Sequence, residues 1–246
     1  MATWIVHLRI AEKLLERIPG LLPAPFAVGS IAPDSGIPDE KWEKFNPPGE
    51  ITHFQAPEGC PHNSDDLGFF REYLSKPECD PERLSFLWGY FCHLVTDNLW
   101  SLRFGRPTQA RYKSRFDADP DFIWEVKKDW YGLDFVYVRS HPESLYWRIF
   151  LNCDYPVNYL DVLLPEGVRQ RIDYIKTYYR RTDAETEEIY SRKRVYLTGA
   201  EMDRFVAEAT GILDPGILGL QKGEIQTDGY HSLLEVIKET GRAGQA

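Results

Sequence analysis

Residues 81–102 read PERLSFLWGYFCHLVTDNLWSL. Leu84, Phe86, Leu87, Trp88, Tyr90, Phe91, Leu94, Val95, Leu99 and Trp100 make this run apolar on nearly every side. That pattern is how a central buried helix reads. In its middle stand His93 and Asp97, four residues apart and so on one helix face. A buried carboxylate without a partner costs on the order of several kcal/mol, so Asp97 must be paired or must bind a cation. A His–Asp hydrogen bond meets that need. So does a metal, for which two ligands at i and i+4 have suitable geometry.

Outward from this segment, helical periodicity continues. Trp4, Leu8, Ala11, Leu15 and Ile18 share one face of a first helix, which Pro19-Gly20 ends. Pro23 and Pro25 are expected to keep the chain from resuming it. Residues 26–63, rich in Gly, Pro, Asp and Asn, read as a long, mostly irregular connection, a kind of loop that is often functional. Helices are expected near 117–138, 143–154, 166–181, 183–194 and 229–240, although the apolar run Phe135 to Val138 also reads as strand. Thr198-Gly-Ala-Glu201 has the spacing of a capping box and should open a helix through Thr210. The expectation is an all-α fold: one domain over residues 1–246, a bundle of about eight helices with a metal site between helices and a long loop.

Composition narrows the function classes. With 43% hydrophobic residues, disorder is excluded as the main state. No run reaches the roughly 18 apolar residues of a membrane span. The first twenty residues carry His7, Arg9, Glu12 and Lys13 where a secretory signal needs an unbroken apolar stretch, so a cytoplasmic location is expected. Cys60, Cys79, Cys92 and Cys153 show no CxxC spacing and are expected to be free thiols. A net charge of −9 opposes nucleic-acid binding. The basic stretch Arg169 to Arg181, followed by Arg192-Lys193-Arg194 and interleaved with Tyr174, Tyr178, Tyr179 and Tyr190, reads as a solvated helix face.

Ligand-type residues gather elsewhere in the first hundred positions. His7 borders the apolar stripe of the first helix. Asp34 lies in FAVGSIAPDSG, between Pro33 and Gly36, and His53 in GEITHF. With His93 and Asp97 these make five nitrogen or oxygen donors without a thiolate, a set that suits zinc or an iron, manganese or nickel substitute. His62 and His141 lie in polar loops and read as solvent-exposed, and Asp129 and Asp134 as helix-surface acids.

An early His, a PD in a Gly-Pro loop, a TH and then GYxxHxxxD together resemble the bacterial zinc-dependent phospholipase C family, whose superfamily includes the single-strand-specific fungal nucleases. The similarity is concentrated in residues 4–100 and points to short, leaderless phospholipase C-like hydrolases. It implies an all-α fold, up to three zinc ions and hydrolysis of phosphoesters by a metal-activated water. It also implies that Asp34, His53, His93 and Asp97 hold a first metal, that His7 and a bridging Asp97 hold a second, and that Asp34 doubles as general base. In secreted relatives the second metal also takes the amine of an N-terminal Trp. Here Trp4 is internal and reads as a packing residue, with the Ala2 amine as a replacement if Met1 is removed. The relatives' third-site His shortly after the bridging Asp is missing from Asn98 to Gly105. His231 and Glu235 have the spacing of an additional ligand pair but lie far downstream, where a surface ion pair or hydrogen bond is the plainer reading.

The cofactor expected is thus zinc, one or two ions, or another divalent transition metal. The substrate expected is a small phosphoester or phospholipid headgroup, with Phe26, Trp42, Phe45 and Phe54 either lining an apolar cleft or packing the long loop. The alternatives are a catalytically inactive, metal-stabilised scaffold or binding protein, and a metal phosphohydrolase of the HD type. The chain has no adjacent His-Asp dipeptide for the latter.

Overall fold

The first helix, α1 (Trp4–Leu15), buries Ile5, Val6, Leu8, Ile10, Ala11 and Leu14, with His7 among them. The coordinates are those of a computed structural model, which describes residues 1–41, 43–76 and 80–243, with side chains to residue 238; Trp42 and Cys79 lie outside the described residues. Pro23 and Pro25 open a helix instead of blocking one, α2 (Pro23–Gly29). First-turn N–H groups have no intrahelical partner, so proline loses nothing there, and its fixed φ suits a helix start. The connection that follows is less irregular than expected. It holds a 3₁₀ turn (Ala32–Asp34), an antiparallel pair of two-residue strands, β1 (Ile37–Pro38) and β2 (Phe45–Asn46), and a one-turn helix, α3 (Gly49–Thr52). That pair is the only sheet among the described residues, and the fold is all-α.

α4 (Asp66–Phe69) runs into a wider π-type turn (Phe70–Leu74) and was not anticipated. α5 (Pro81–Trp100) is the central helix, buried at every residue from Ser85 to Trp100. It passes through a second π-type turn (Ser101–Gly105) into α6 (Arg106–Arg111) and α7 (Lys113–Ala118), two short helices also missed. α8 (Phe122–Ser140) includes Phe135 to Val138, which are helix and not strand. The helix expected over 143–154 is only α9 (Leu145–Arg148) followed by a 3₁₀ turn (Phe150–Asn152). α10 (Pro165–Tyr178) and α11 (Ala184–Ser191) fall where expected. α12 (Gly199–Gln221) opens on the capping box, with Glu201 N–H donating to Thr198 Oγ1 and Thr198 N–H to the Glu201 carboxylate. It runs beyond Thr210 through Pro215, because the carbonyl that Pro215 leaves unpaired belongs to the exposed Gly211 and is open to water. α13 (Leu233–Ala243) ends the described chain.

One core unites these elements, with α1 packed against α2, α5, α9 and α12, and α8 against α11. No helix among the described residues is long and apolar enough to cross a membrane. The tightest contact is α2 on α5. A Cβ on Gly89 would lie 2.2 Å from the Phe26 carbonyl oxygen, and one on Gly29 2.0 Å from that of Phe86. The two backbones touch because neither glycine has a side chain. Gly89→Ala is therefore expected to destabilise by at least about 2 kcal/mol through overpacking against backbone that cannot yield. Gly211→Ala, on a helix face with nothing within 4 Å, is expected to stabilise by about 0.5–1 kcal/mol. Urea unfolding of both variants checks the pair, and a Gly89→Ala protein as stable as the parent would refute the contact.

Candidate metal centre

The α2–α5 crossing brings the Ser30 carbonyl beside His93. His93 Nδ1 lies 2.9 Å from it and donates, since a carbonyl can only accept. The proton is thereby fixed on Nδ1, and the Nε2 lone pair points away from Ser30. His53 is arranged in the same way. It caps α3, its Nδ1 lies 3.1 Å from the Gly49 carbonyl, and its Nε2 is turned inward. The Tyr90 hydroxyl, one turn before His93 on α5, donates to the Thr52 carbonyl and pins this cap. Phe54 then turns the chain at a left-handed φ of 48° and places its ring among Phe69, Tyr73 and Tyr90.

The two inward nitrogens, His93 Nε2 and His53 Nε2, are 3.3 Å apart. Asp97 divides its carboxylate between two sides. Oδ2 faces His93 Nε2 at 3.5 Å and His53 Nε2 at 3.7 Å, whereas Oδ1 faces His7 Nε2 at 3.5 Å and accepts the Ala2 N–H at 2.7 Å. Asp34 Oδ1 lies 3.3 Å from His53 Nε2, and Oδ2 accepts the Trp4 indole N–H at 2.9 Å. His7 stacks on His93, with ring centroids 3.9 Å apart. All five sequence-predicted ligands therefore meet, in two groups of converging donor atoms: Asp34, His53 and His93, and His7, His93 and Asp97. His7 Nε2 and Asp97 Oδ2 are buried with no hydrogen-bond partner. Buried polar atoms are seldom left so, and a ring nitrogen and a carboxylate oxygen both without partners in one cluster fit a cation.

The electrostatics separate the histidines: against burial, the charges of Asp97 and Asp34 push His93 up, so an ion bound at its Nε2 must displace a more tightly held proton. Burial, reinforced by the charge of His93, pushes His7 down to about 4, so it is neutral and offers a lone pair. Burial would raise Asp97, but the charges of the chain N-terminus and of His93, with the close approach of His7, outweigh it and hold the carboxyl well below the usual range. Asp34 is held low by its His53 bond and by the charges of His93 and His53, again against burial.

The additional pair separates. His231 Nδ1 faces Asp65 at 3.2 Å, and Glu235 faces His62 Nε2 at 3.4 Å, so each acid has its own histidine; only the His231 N–H joins the two by donating to Glu235. The two groups of converging ligands among the described residues do not include them. His62 is not solvent-exposed as expected: its side chain is 7% accessible because Glu235 covers it. His141 is exposed and stacks on Tyr137. Asp129 and Asp134 are not surface acids. Asp129 accepts the N–H groups of Val195 and Tyr196. Asp134 accepts from the Thr3 and Tyr179 hydroxyls, which anchors the start of α1.

Of the aromatics near the loop, Phe26 is core, Phe54 packs inward, and Phe45 is exposed and lines a cavity beside the ligands. Sequence reasoning missed this cavity of about 550 Å³, bordered by Asp34, His53 and the Trp4 ring. Trp4 does pack, against Tyr131, Tyr174, Tyr178 and Tyr179, but it also holds Asp34. The basic stretch is not simply solvated. Arg171, Tyr174, Tyr178 and Arg181 recur at three- and four-residue spacing and line the cavity together, and that periodicity was the available signal.

Burial pushes Asp134 up to about 7, against the hydrogen bonds from Tyr179 and Thr3. Between 3.8, its ordinary value, and about 7, the folded chain holds more protons here than the unfolded chain. The contribution of Asp134 to stability therefore falls as pH rises through that window and is level above it. Asp134→Asn lacks this titration. The stability of wild type minus that of Asp134→Asn is expected to shrink by on the order of a few kcal/mol from pH 4 to 7 and then stay constant. Denaturant unfolding across that range measures it, and a difference that grows with pH would contradict the assignment.

No protein-family model, curated protein or solved structure matches the chain.

Proposed function

We propose that the chain is a metal-dependent hydrolase of phosphoesters, with zinc the foremost metal, and a member of the phospholipase C-like group that its first hundred residues resemble. The observation that carries the reading is the pair of buried, unpartnered atoms, His7 Nε2 and Asp97 Oδ2, in a cluster with Asp34, His53 and His93. Donors of nitrogen and oxygen without thiolate suit zinc or a neighbouring divalent transition metal. Asp34, His53, His93 and Asp97 would hold one ion, and His7 with the other Asp97 oxygen a second. Bound there, such a metal supplies Lewis-acid activation of water and neutralises charge at a phosphoryl oxygen.

The remaining work belongs to the chain. The Ser30 and Gly49 carbonyls fix the Nδ1 proton of His93 and His53, so the neutral form of either ring carries its lone pair on the inward Nε2. The Trp4 indole holds the Asp34 carboxylate at the cavity wall, where Asp34 can take a proton from an attacking water. The net charge of −9 favours a small phosphoester or phospholipid headgroup over nucleic acid. Free Cys60, Cys92 and Cys153 accord with a reducing compartment, and we place the protein in the cytosol.

A metal-stabilised scaffold without catalysis is the second reading, favoured by the separation of His231 from Glu235, which leaves no third ligand set among the described residues. Metal analysis of the purified protein and hydrolysis of bis-p-nitrophenyl phosphate separate the two. One or two ions per chain with turnover are expected. Asp97→Asn should lose more than about 100-fold in rate, beyond the range of outer-shell substitutions, because its carboxylate faces both halves of the cluster. His7→Ala should lose less. A protein with full metal and no turnover would be the scaffold, and one that takes up no metal would defeat both readings.

A further inference from the structure

The cavity beside the metal ligands has a charge that the phosphoesterase reading leaves undetermined. Its walls come from α1, α8, α10 and α11. Four cations line it, and two are neutralised: Lys128 by Glu125 at 3.1 Å, and Arg181 by Asp183 and Glu185 at 2.6 and 2.9 Å. The other two have no ion pair or side-chain hydrogen bond among the described residues. Lys127 Nζ lies 4.6 Å from the Trp124 ring centroid, and the Arg171 guanidinium lies 5.2 Å from that of Trp4 and 5.8 Å from that of Tyr174. Arg171 Nε is buried and unpartnered. Lys127 is partly desolvated and close enough to Asp34 and Asp97 to feel both charges. Stacking on aromatic faces holds the two cations in place but leaves their N–H groups unused.

Cations that form no ion pair among the described residues and are held on aromatic faces are arranged for an anion. The Trp124 ring, 56% exposed at the same wall, adds a flat apolar surface. On the other side of His53 the contrast is sharp. A second cavity of about 990 Å³ is lined by Glu43, Glu50 and Glu58, with Lys44 as its one lysine or arginine. The anionic end of a ligand that reaches His53 therefore belongs in the first cavity.

We propose that this cavity selects, as substrate of the hydrolysis proposed above, phosphoesters with a flat aromatic body and a further anionic charge held by Lys127 and Arg171, and that it disfavours cationic headgroups. The proposal rests on the phosphoesterase reading for the word substrate, and on Lys127, Arg171 and the aromatic wall for the anion site. A zwitterionic choline ester would bring its ammonium against two free cations, whereas a phosphomonoester dianion or a carboxylate finds two charge-assisted donors there.

The test uses probes that are not hydrolysed. Binding of 1-naphthalenesulfonate and of the 1-naphthyltrimethylammonium cation is followed by calorimetry in the purified protein and in Lys127→Gln, Lys127→Arg and Arg171→Gln, after equal metal content and unchanged circular dichroism are confirmed. The sulfonate is expected to bind at least about tenfold tighter than the cation. Lys127→Gln and Arg171→Gln should each weaken it about tenfold, the size of one charge-assisted hydrogen bond, with most of the loss restored in Lys127→Arg. Equal binding of the two probes, or sulfonate binding in both glutamine variants within about twofold of the parent, would overturn the anion site. Hydrolysis of p-nitrophenyl phosphate against p-nitrophenylphosphorylcholine tests the substrate role separately. Higher kcat/KM on the monoester, lost in the glutamine variants through KM, supports it. Tight sulfonate binding with no turnover of either ester sinks the phosphoesterase reading and leaves the anion site in place. Turnover that is unaffected by the two glutamine substitutions sinks the substrate role of the cavity and leaves the phosphoesterase reading in place.

Discussion

The charge of Asp97 has to be compensated inside the protein. It lies on the most buried helix, 4% exposed, where an uncompensated carboxylate would cost on the order of several kcal/mol. What answers it comes from everywhere but its own neighbourhood: the Ala2 amide, His7 from α1, His53 from the loop helix, and only His93 from α5 itself. Even so Oδ2 has no hydrogen-bond donor. The loop, the first helix and the central helix are thus held to one point by a charge that the protein's own groups satisfy only in part.

Two backbone devices make that convergence possible. The glycine pair Gly29 and Gly89 lets α2 lie directly on α5, which delivers the Ser30 carbonyl to His93 and starts the turn that carries Asp34. One residue beyond Asp97, Asn98 accepts the Asn63 and Ser64 N–H groups and donates to the Ser64 carbonyl and to Asp66. Asp66 in turn takes the Ser232 hydroxyl and the Leu233 N–H, which ties the last helix to the same strip of α5. The central helix therefore supplies both His93 and Asp97 and the clamps that bring the other converging side chains in.

How much of this was legible follows from where each signal lay. The buried helix announced itself by apolar residues on all sides, and His93 and Asp97 by their presence there. Asp34 and His53 were found through residue type and family resemblance, since no periodicity points to a loop residue. Prolines misled at α2 because their position within the helix, and not their presence, decides their effect. Asp129 and Asp134 looked like surface acids because their partners, the 195–196 amides and Thr3, are 66 and 131 residues away along the chain. The same distance hid the cavity. Its cations lie on α8 and α10 and its floor on α1, and only Arg171, Tyr174, Tyr178 and Arg181 shared a readable helical spacing.

The place of α1 has a consequence for how the protein matures. His7, Asp34, His53, His93 and Asp97, which converge in the fold, all precede α8, α9 and α12 in the sequence. Yet α1 packs on α9 and α12 as well as on α2 and α5, and Thr3 is held by Asp134, so the seat of His7 and Ala2 is complete only when the later helices are in place. Contacts of such long sequence separation form late and slowly. Before α8, α9 and α12 form, the cluster of histidines and aspartates should therefore be looser than in the folded protein. If the cluster holds an ion as proposed, its binding energy would be shared by α1 and by the α9 and α12 helices that seat it.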